Sequence, residues 1–96
     1  MILQFKEKLD LFNSLDKRIY SDGRLNKRNI DVMFILAQNY YFSIAEKGLT
    51  IKELAEITGR SQQFIRSIIK ELDGYGIITQ KGERPVVYTI SEKYFD

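Results

Sequence analysis

From Ser61 to Lys70 the chain reads SQQFIRSIIK, and its polar members are all amides, hydroxyls and cations. Glutamine carries donor and acceptor on one planar group, arginine a fork of donors, and serine a hydroxyl that plays either part. Side chains of these types recognise a partner by hydrogen bonding rather than break its bonds. No carboxylate interrupts them until Glu71 and Asp73. The groups needed for bond-breaking are scarce throughout. The 96 residues contain no histidine and no cysteine, which removes the commonest metal ligand and general base, and with them thiolate nucleophiles, disulfides and iron–sulfur ligation. Carboxylate-only chemistry would need a tight acidic constellation, and the sequence has none. The expectation is a protein that is no enzyme and uses no cofactor or metal.

Those polar residues need an element to present them. Ile65, Ile68, Ile69 and Leu72 stand at i, i+3, i+4 and i+7, which predicts a helix with one buried stripe and the polar set opposite. Phe64 lies at the stripe's margin. Ser61 can cap the start, and Gly74 and Gly76 stop the helix. Just upstream, Thr50-Ile51-Lys52-Glu53 has the form of a capping box. Leu54, Ala55 and Ile57 supply the buried side of a short helix, which Gly59 ends because glycine takes the left-handed conformation freely. Downstream, Ile77–Gln80 and Val86–Ile90 are β-rich runs around KGERP, a hairpin with its turn at Gly82. Pro85 cannot donate to a ladder and suits the edge of the second strand.

Two further helices precede this unit. One should run from near Lys27 to about Phe42, with Ile30, Met33, Phe34, Ala37, Tyr40 and Tyr41 on one face and Val32, Ile35 and Phe42 on the other. A helix apolar on nearly all sides is buried on two, here against the core and against the N-terminal helix, a partner subunit or both. Ile2, Phe5, Leu9 and Phe12 predict an amphipathic helix over 2–15, with Leu3 and Leu11 as surplus apolar surface off its stripe. Asp16–Asn26, which contains the turn signature SDG, connects the two. Ser43–Gly48 is a polar connection. Tyr94 and Phe95 should pack back on the body, and Tyr40, Tyr41 and Tyr88 should be core.

Length allows one domain with a single core. The composition, 44% hydrophobic and 29% charged, is that of a folded chain. No apolar run approaches the roughly 20 residues of a membrane span, and MILQFKEKLDLF breaks its apolar residues with charges, unlike a signal peptide. A cytoplasmic, nucleoid-associated location is expected, without membrane contact. The net charge is only +2. Its distribution says more: five cations face two carboxylates over 16–28, and five face three over 59–84.

Helix, glycine turn, helix and hairpin at these spacings resemble a winged helix-turn-helix domain. Ala55 falls where that family has a small residue, because its two helices approach closely. Gly59 follows four residues later at the turn, and Ile65 and Ile68 stand six and nine residues beyond it, where aliphatics lock the second helix onto the first. The resemblance covers roughly 27–91 and is at superfamily level, to small prokaryotic or viral transcriptional regulators of MarR-like and ArsR-like type. It implies an α+β, mainly α fold: a three-helix core plus a C-terminal β-hairpin wing, to which this chain adds an N-terminal amphipathic helix. The division expected is 1–20 for that helix, 27–91 for the winged domain and 92–96 for a tail.

In that family the second helix lies in the major groove and presents the side chains opposite its core stripe. Ser61, Gln62, Gln63, Arg66 and Ser67 are then the expected base readers, since Gln pairs with adenine, Arg with guanine and Ser with either. A helix of eleven residues is about 17 Å long and the groove roughly 12 Å wide, so the first two turns reach base edges and Lys70 touches phosphate. Arg60 is a further phosphate contact. Lys81 and Arg84, flanking Gly82, would be wing contacts, and Lys27 and Arg28 with their helix-start amides a phosphate site. Many relatives dimerise through an added C-terminal helix, for which the residues after this hairpin are too few. A homodimer is expected instead on Ile2, Leu3, Phe5, Leu9, Leu11 and Phe12, with Val32, Ile35 and Phe42 beneath. The resemblance thus implies a sequence-specific regulator of transcription that binds double-stranded DNA, a repressor that occludes a promoter without metal or redox sensing. The sequence marks no effector pocket. The alternatives are a winged-helix module for protein–protein contact, and a plasmid or viral replication protein or architectural DNA-binding protein.

Overall fold

Every helix start in the second half of the chain is set by a short polar side chain. Thr50 accepts from the Glu53 amide at 3.0 Å while the Glu53 carboxylate accepts from the Thr50 amide at 2.9 Å, the reciprocal box anticipated. Ser61 Oγ accepts from the Phe64 amide at 3.1 Å. Asn26 and Asn29 form a second reciprocal pair, each side chain accepting from the other's amide. The computed structural model describes residues 4–43 and 48–95. In chain order it contains α1 (Phe5–Ser21), α2 (Lys27–Phe42), α3 (Ile51–Thr58), α4 (Gln62–Gly74), β1 (Ile78–Lys81), β2 (Val87–Ile90) and a closing 3-10 turn, Glu92–Phe95. The architecture is α+β and mainly α, with β1 and β2 antiparallel in the register Ile78↔Ile90 to Lys81↔Val87.

The central element is α2, which packs on α1, α4 and β2. Its Val32, Met33, Leu36 and Ala37 are buried with Leu54 and Ala55 of α3, Ile65, Ile68, Ile69 and Leu72 of α4, and Ile78 and Ile90 of the sheet. The buried stripe of α4 is the one its spacing predicts. Ala55 is buried in this cluster, and Gly59 (φ 70°) turns the chain just after α3, its amide and that of Arg60 both donating to the Ala55 carbonyl. Leu49 forms an isolated bridge to Tyr88, giving β2 a partner on its other edge. Gly48 makes that bridge accessible: its φ is 118°, and a Cβ there would stand 2.9 Å from a Val87 methyl.

Four expectations need correction. α1 does not stop near residue 15; it runs to Ser21, because Leu15 and Ile19 continue the Phe12 stripe and are buried. The connector is accordingly short. Val32 belongs to the core rather than to a second face, whereas Phe34 meets Phe12 of α1, ring centroids 5.4 Å apart. Ile57 is 57% exposed, since the inward stripe of α3 is Ile51, Leu54, Ala55 and Thr58. Tyr40, Tyr41 and Tyr88 are half-buried at the margin rather than in the core, while Tyr94 is buried as expected. The Phe95 side chain lies outside the described residues.

Candidate nucleic-acid interface

Docking Ile65, Ile68, Ile69 and Leu72 inward turns Gln62, Gln63, Arg66, Ser67 and Lys70 outward, and all five are exposed, as is Ser61. α4 has 13 residues, so it is about 20 Å long. The side chains of Gln62, Gln63, Arg66 and Lys70 make no hydrogen bond to another described residue. The two serines differ. Ser61 Oγ is committed as acceptor to the helix cap, keeping its proton to donate, and Ser67 Oγ donates to the Phe64 carbonyl at 2.7 Å, keeping its lone pairs. Ser61 therefore retains its donor and one lone pair, and Ser67 its two lone pairs.

Strand alternation divides the hairpin. Gln80 and Tyr88 face α4, where with Ile51, Arg66, Ile69, Lys70 and Asp73 they line a groove of about 270 Å³. Lys81 is on the opposite side, in a hollow of about 300 Å³ with Tyr40, Thr79 and Lys93. The structure therefore brings Arg66 and Lys70 together with two hairpin side chains the sequence reading omitted, and does not bring Lys81 to them. Alternation within ITQK would have put Gln80 on the face of Ile78. Arg84 is exposed at the turn.

The starts of α2 and α4 meet at one ring. Lys27 and Arg28 are exposed on the first turn of α2, and Arg60 is exposed just before the α4 cap. The guanidinium carbons of Arg28 and Arg60 stand 5.9 Å and 5.0 Å from the centroid of Phe64. Beside them is a hollow of about 470 Å³ lined by Tyr20, Phe34, Ile35, Phe64 and both arginines. No local sequence signal marked it, because its walls come from all four helices and a turn.

Other cations are committed to the fold. Arg24 forms a two-pronged pair with Asp22, Nη2 to Oδ2 at 2.8 Å and Nε to Oδ1 at 3.0 Å, and Tyr94 donates its hydroxyl to Asp22 at 3.0 Å. The Arg24 hydrogen bonds, foremost, hold the Asp22 carboxyl well below the usual carboxylate range. Burial, and then the adjacent carboxylate, pushes the Tyr94 phenol up to about 12. Arg18 lies over the Tyr94 ring at 4.7 Å. Two of the five cations of 16–28, Arg18 and Arg24, are thus engaged in the fold.

Of the expected dimer residues, Ile2 and Leu3 lie outside the described residues. Phe12 is half-buried against Phe34 and Phe42 of the same chain. Phe5 (69%), Leu9 (38%) and Leu11 (44%) are exposed. Leu11 lies about 200° round the helix from Leu9, so it does not share their side. Among the described residues no helix is long and apolar enough to cross a membrane, and no group of three or more carboxylates could hold a metal ion.

No protein-family model and no curated protein matches the sequence. Among solved structures, the chain is similar to the ST1889 protein of the thermoacidophilic archaeon Sulfolobus tokodaii, with a TM-score of 0.61 at 20% identity over 96% of this chain and 80% of that one. At that identity the likeness concerns the fold alone.

Proposed function

We propose that the chain is a winged helix-turn-helix regulator of transcription that binds duplex DNA sequence-specifically, with α4 in the major groove and the β1–β2 hairpin as wing. The observation that carries the reading is the outer face of α4. Gln62, Gln63, Arg66 and Lys70 are exposed and without hydrogen-bond partners among the described residues, on a helix whose other face is locked to α2 and α3. A rigid helix offering amide and guanidinium forks matches what base edges demand. A repressor acting as a homodimer is the form proposed, since specific sites are commonly read by two such helices one duplex turn apart.

Selection from random duplex DNA at near-physiological salt tests this. A defined consensus with an inverted repeat is expected. Retention without a consensus would point to an architectural protein, and no retention even at low salt to a protein–protein module; either result overturns the reading.

A further inference from the structure

We infer that Phe64 is a positioning residue which holds Arg28 and Arg60 together as one seat for the phosphate backbone; this rests on the duplex-binding reading of α4. The two cations come from distant parts of the sequence, one on the first turn of α2 and one immediately before the cap of α4. Both guanidiniums lie against a single aromatic ring, so they stand within about 11 Å of each other. Arginines sit over ring faces by electrostatic attraction within about 6 Å, and that attraction opposes the repulsion between them. Neither forms an ion pair with a described residue, although Asp31 lines the same hollow. The amino ends of both helices add partial positive charge at the same place. Two cations without an ion pair among the described residues, beside two helix starts, make a place suited to an anion. A duplex supplies a negative charge about every 3.4 Å along each strand, and the seat adjoins the first turn of α4, where base contacts are proposed. Phe64, which its spacing places at the margin of the core, thus has a task that leucine would not perform.

The test compares Phe64→Leu, which keeps apolar bulk but removes the ring, with Phe64→Tyr, which keeps the ring. Phe64→Leu should weaken binding to the selected site and to random duplex alike, roughly tenfold, and make the plot of log affinity against log salt shallower by up to about two. Phe64→Tyr should bind as the parent does. In an Arg28→Ala, Arg60→Ala background, Phe64→Leu should have no further effect. If Phe64→Leu binds like the parent, or weakens binding equally in that background, the positioning role is overturned while the DNA reading stands. If the parent binds no duplex, both fall together. A measurement without DNA checks the placement: the side-chain protons of Arg28 and Arg60 should show ring-current shifts that Phe64→Leu abolishes. Unchanged shifts would overturn it.

Discussion

At the scale of single residues, Arg66 and Lys70 divide the work of α4 differently although they line one groove. In the proposed complex with DNA, Arg66 belongs to the turns that reach base edges, and its fork suits guanine. Lys70 offers a point charge further along, suited to phosphate. Arg66→Ala should cost about 1–3 kcal/mol at one base position and relax preference there. Lys70→Ala should weaken every duplex to a similar degree and make the salt slope shallower by about one. Competition titrations against single-base variants of a selected site, at two salt concentrations, measure both. An Arg66→Ala protein that keeps the parent's base preference would remove that residue from the reading set. The polar residues of this face were legible in the sequence because the i, i+3, i+4, i+7 stripe leaves them no other side. The cap by Ser61 was legible as well, and it is made; what was not legible is that Ser67 gives its proton to the Phe64 carbonyl, a detail that depends on rotamer and not on spacing. Gln80 was legible by alternation from Ile78 although it was not among the expected contacts, whereas the surroundings of Phe64 were hidden because they come from α2 and from the turn before α4.

At the scale of elements, α3 and α4 could be bounded from the sequence because caps and glycines punctuate them, and α2 because its apolar run lies between two polar connections. α1 could not. Asp16–Asn26 is dense in charge and reads as a connector, yet Ile19 is fully buried and its charged neighbours simply point outward. Nor could the Leu49–Tyr88 bridge be foreseen, since a single paired residue has no period. The link between α1 and the closing turn is likewise non-local: Tyr94 reaches back to Asp22 across 72 residues. This clasp should give stability a definite dependence on pH. The Asp22 carboxyl is held below its unfolded value of 3.8, so its contribution is present above that value and is lost as pH falls beneath it. The Tyr94 phenol is raised from 10.0 to about 12, so its contribution is present below 10.0 and is lost as pH rises through that interval. Asp22→Asn should cost about 1–2 kcal/mol in urea denaturation at neutral pH, the pair being half-exposed on its arginine side. The gap to the parent should narrow progressively below pH 3.8. Tyr94→Phe should flatten the alkaline limb and, by removing one hydrogen bond to Asp22, soften the acid limb to a smaller degree. A gap that stays constant between pH 7 and pH 2.5 would show that the clasp carries no such linkage.

At the scale of the whole molecule the question is what the apolar flank of α1 meets. The sequence suggests two tasks for α1, covering its own domain and joining a second copy, and in the structure the residues that cover the domain differ from those left exposed. Phe12, Leu15 and Ile19 cover the domain. Phe5 and Leu9 remain exposed beside them, with Phe5 extending an aromatic row through Phe42 to Phe12. Leu11 is turned too far away to join that patch. A two-fold interface centred on Phe5 and Leu9 is therefore the form of dimer proposed here, and it would enlarge a cluster that already exists rather than expose a new one. The described residues measure 36 × 32 × 23 Å, comparable with the roughly 34 Å of one duplex turn that separates paired reading helices. Sedimentation velocity at tens of micromolar should give twice the 11.3 kDa chain mass. Combining Phe5→Ser with Leu9→Ser should return the monomer without loss of helix content, because both residues are exposed. Leu11→Ser should leave the dimer intact. The disrupted protein should bind a full inverted repeat no more tightly than a half-site, since the second reading helix no longer adds to the first. A parent chain that sediments as a monomer would remove the dimer, and with it the expectation of an inverted repeat.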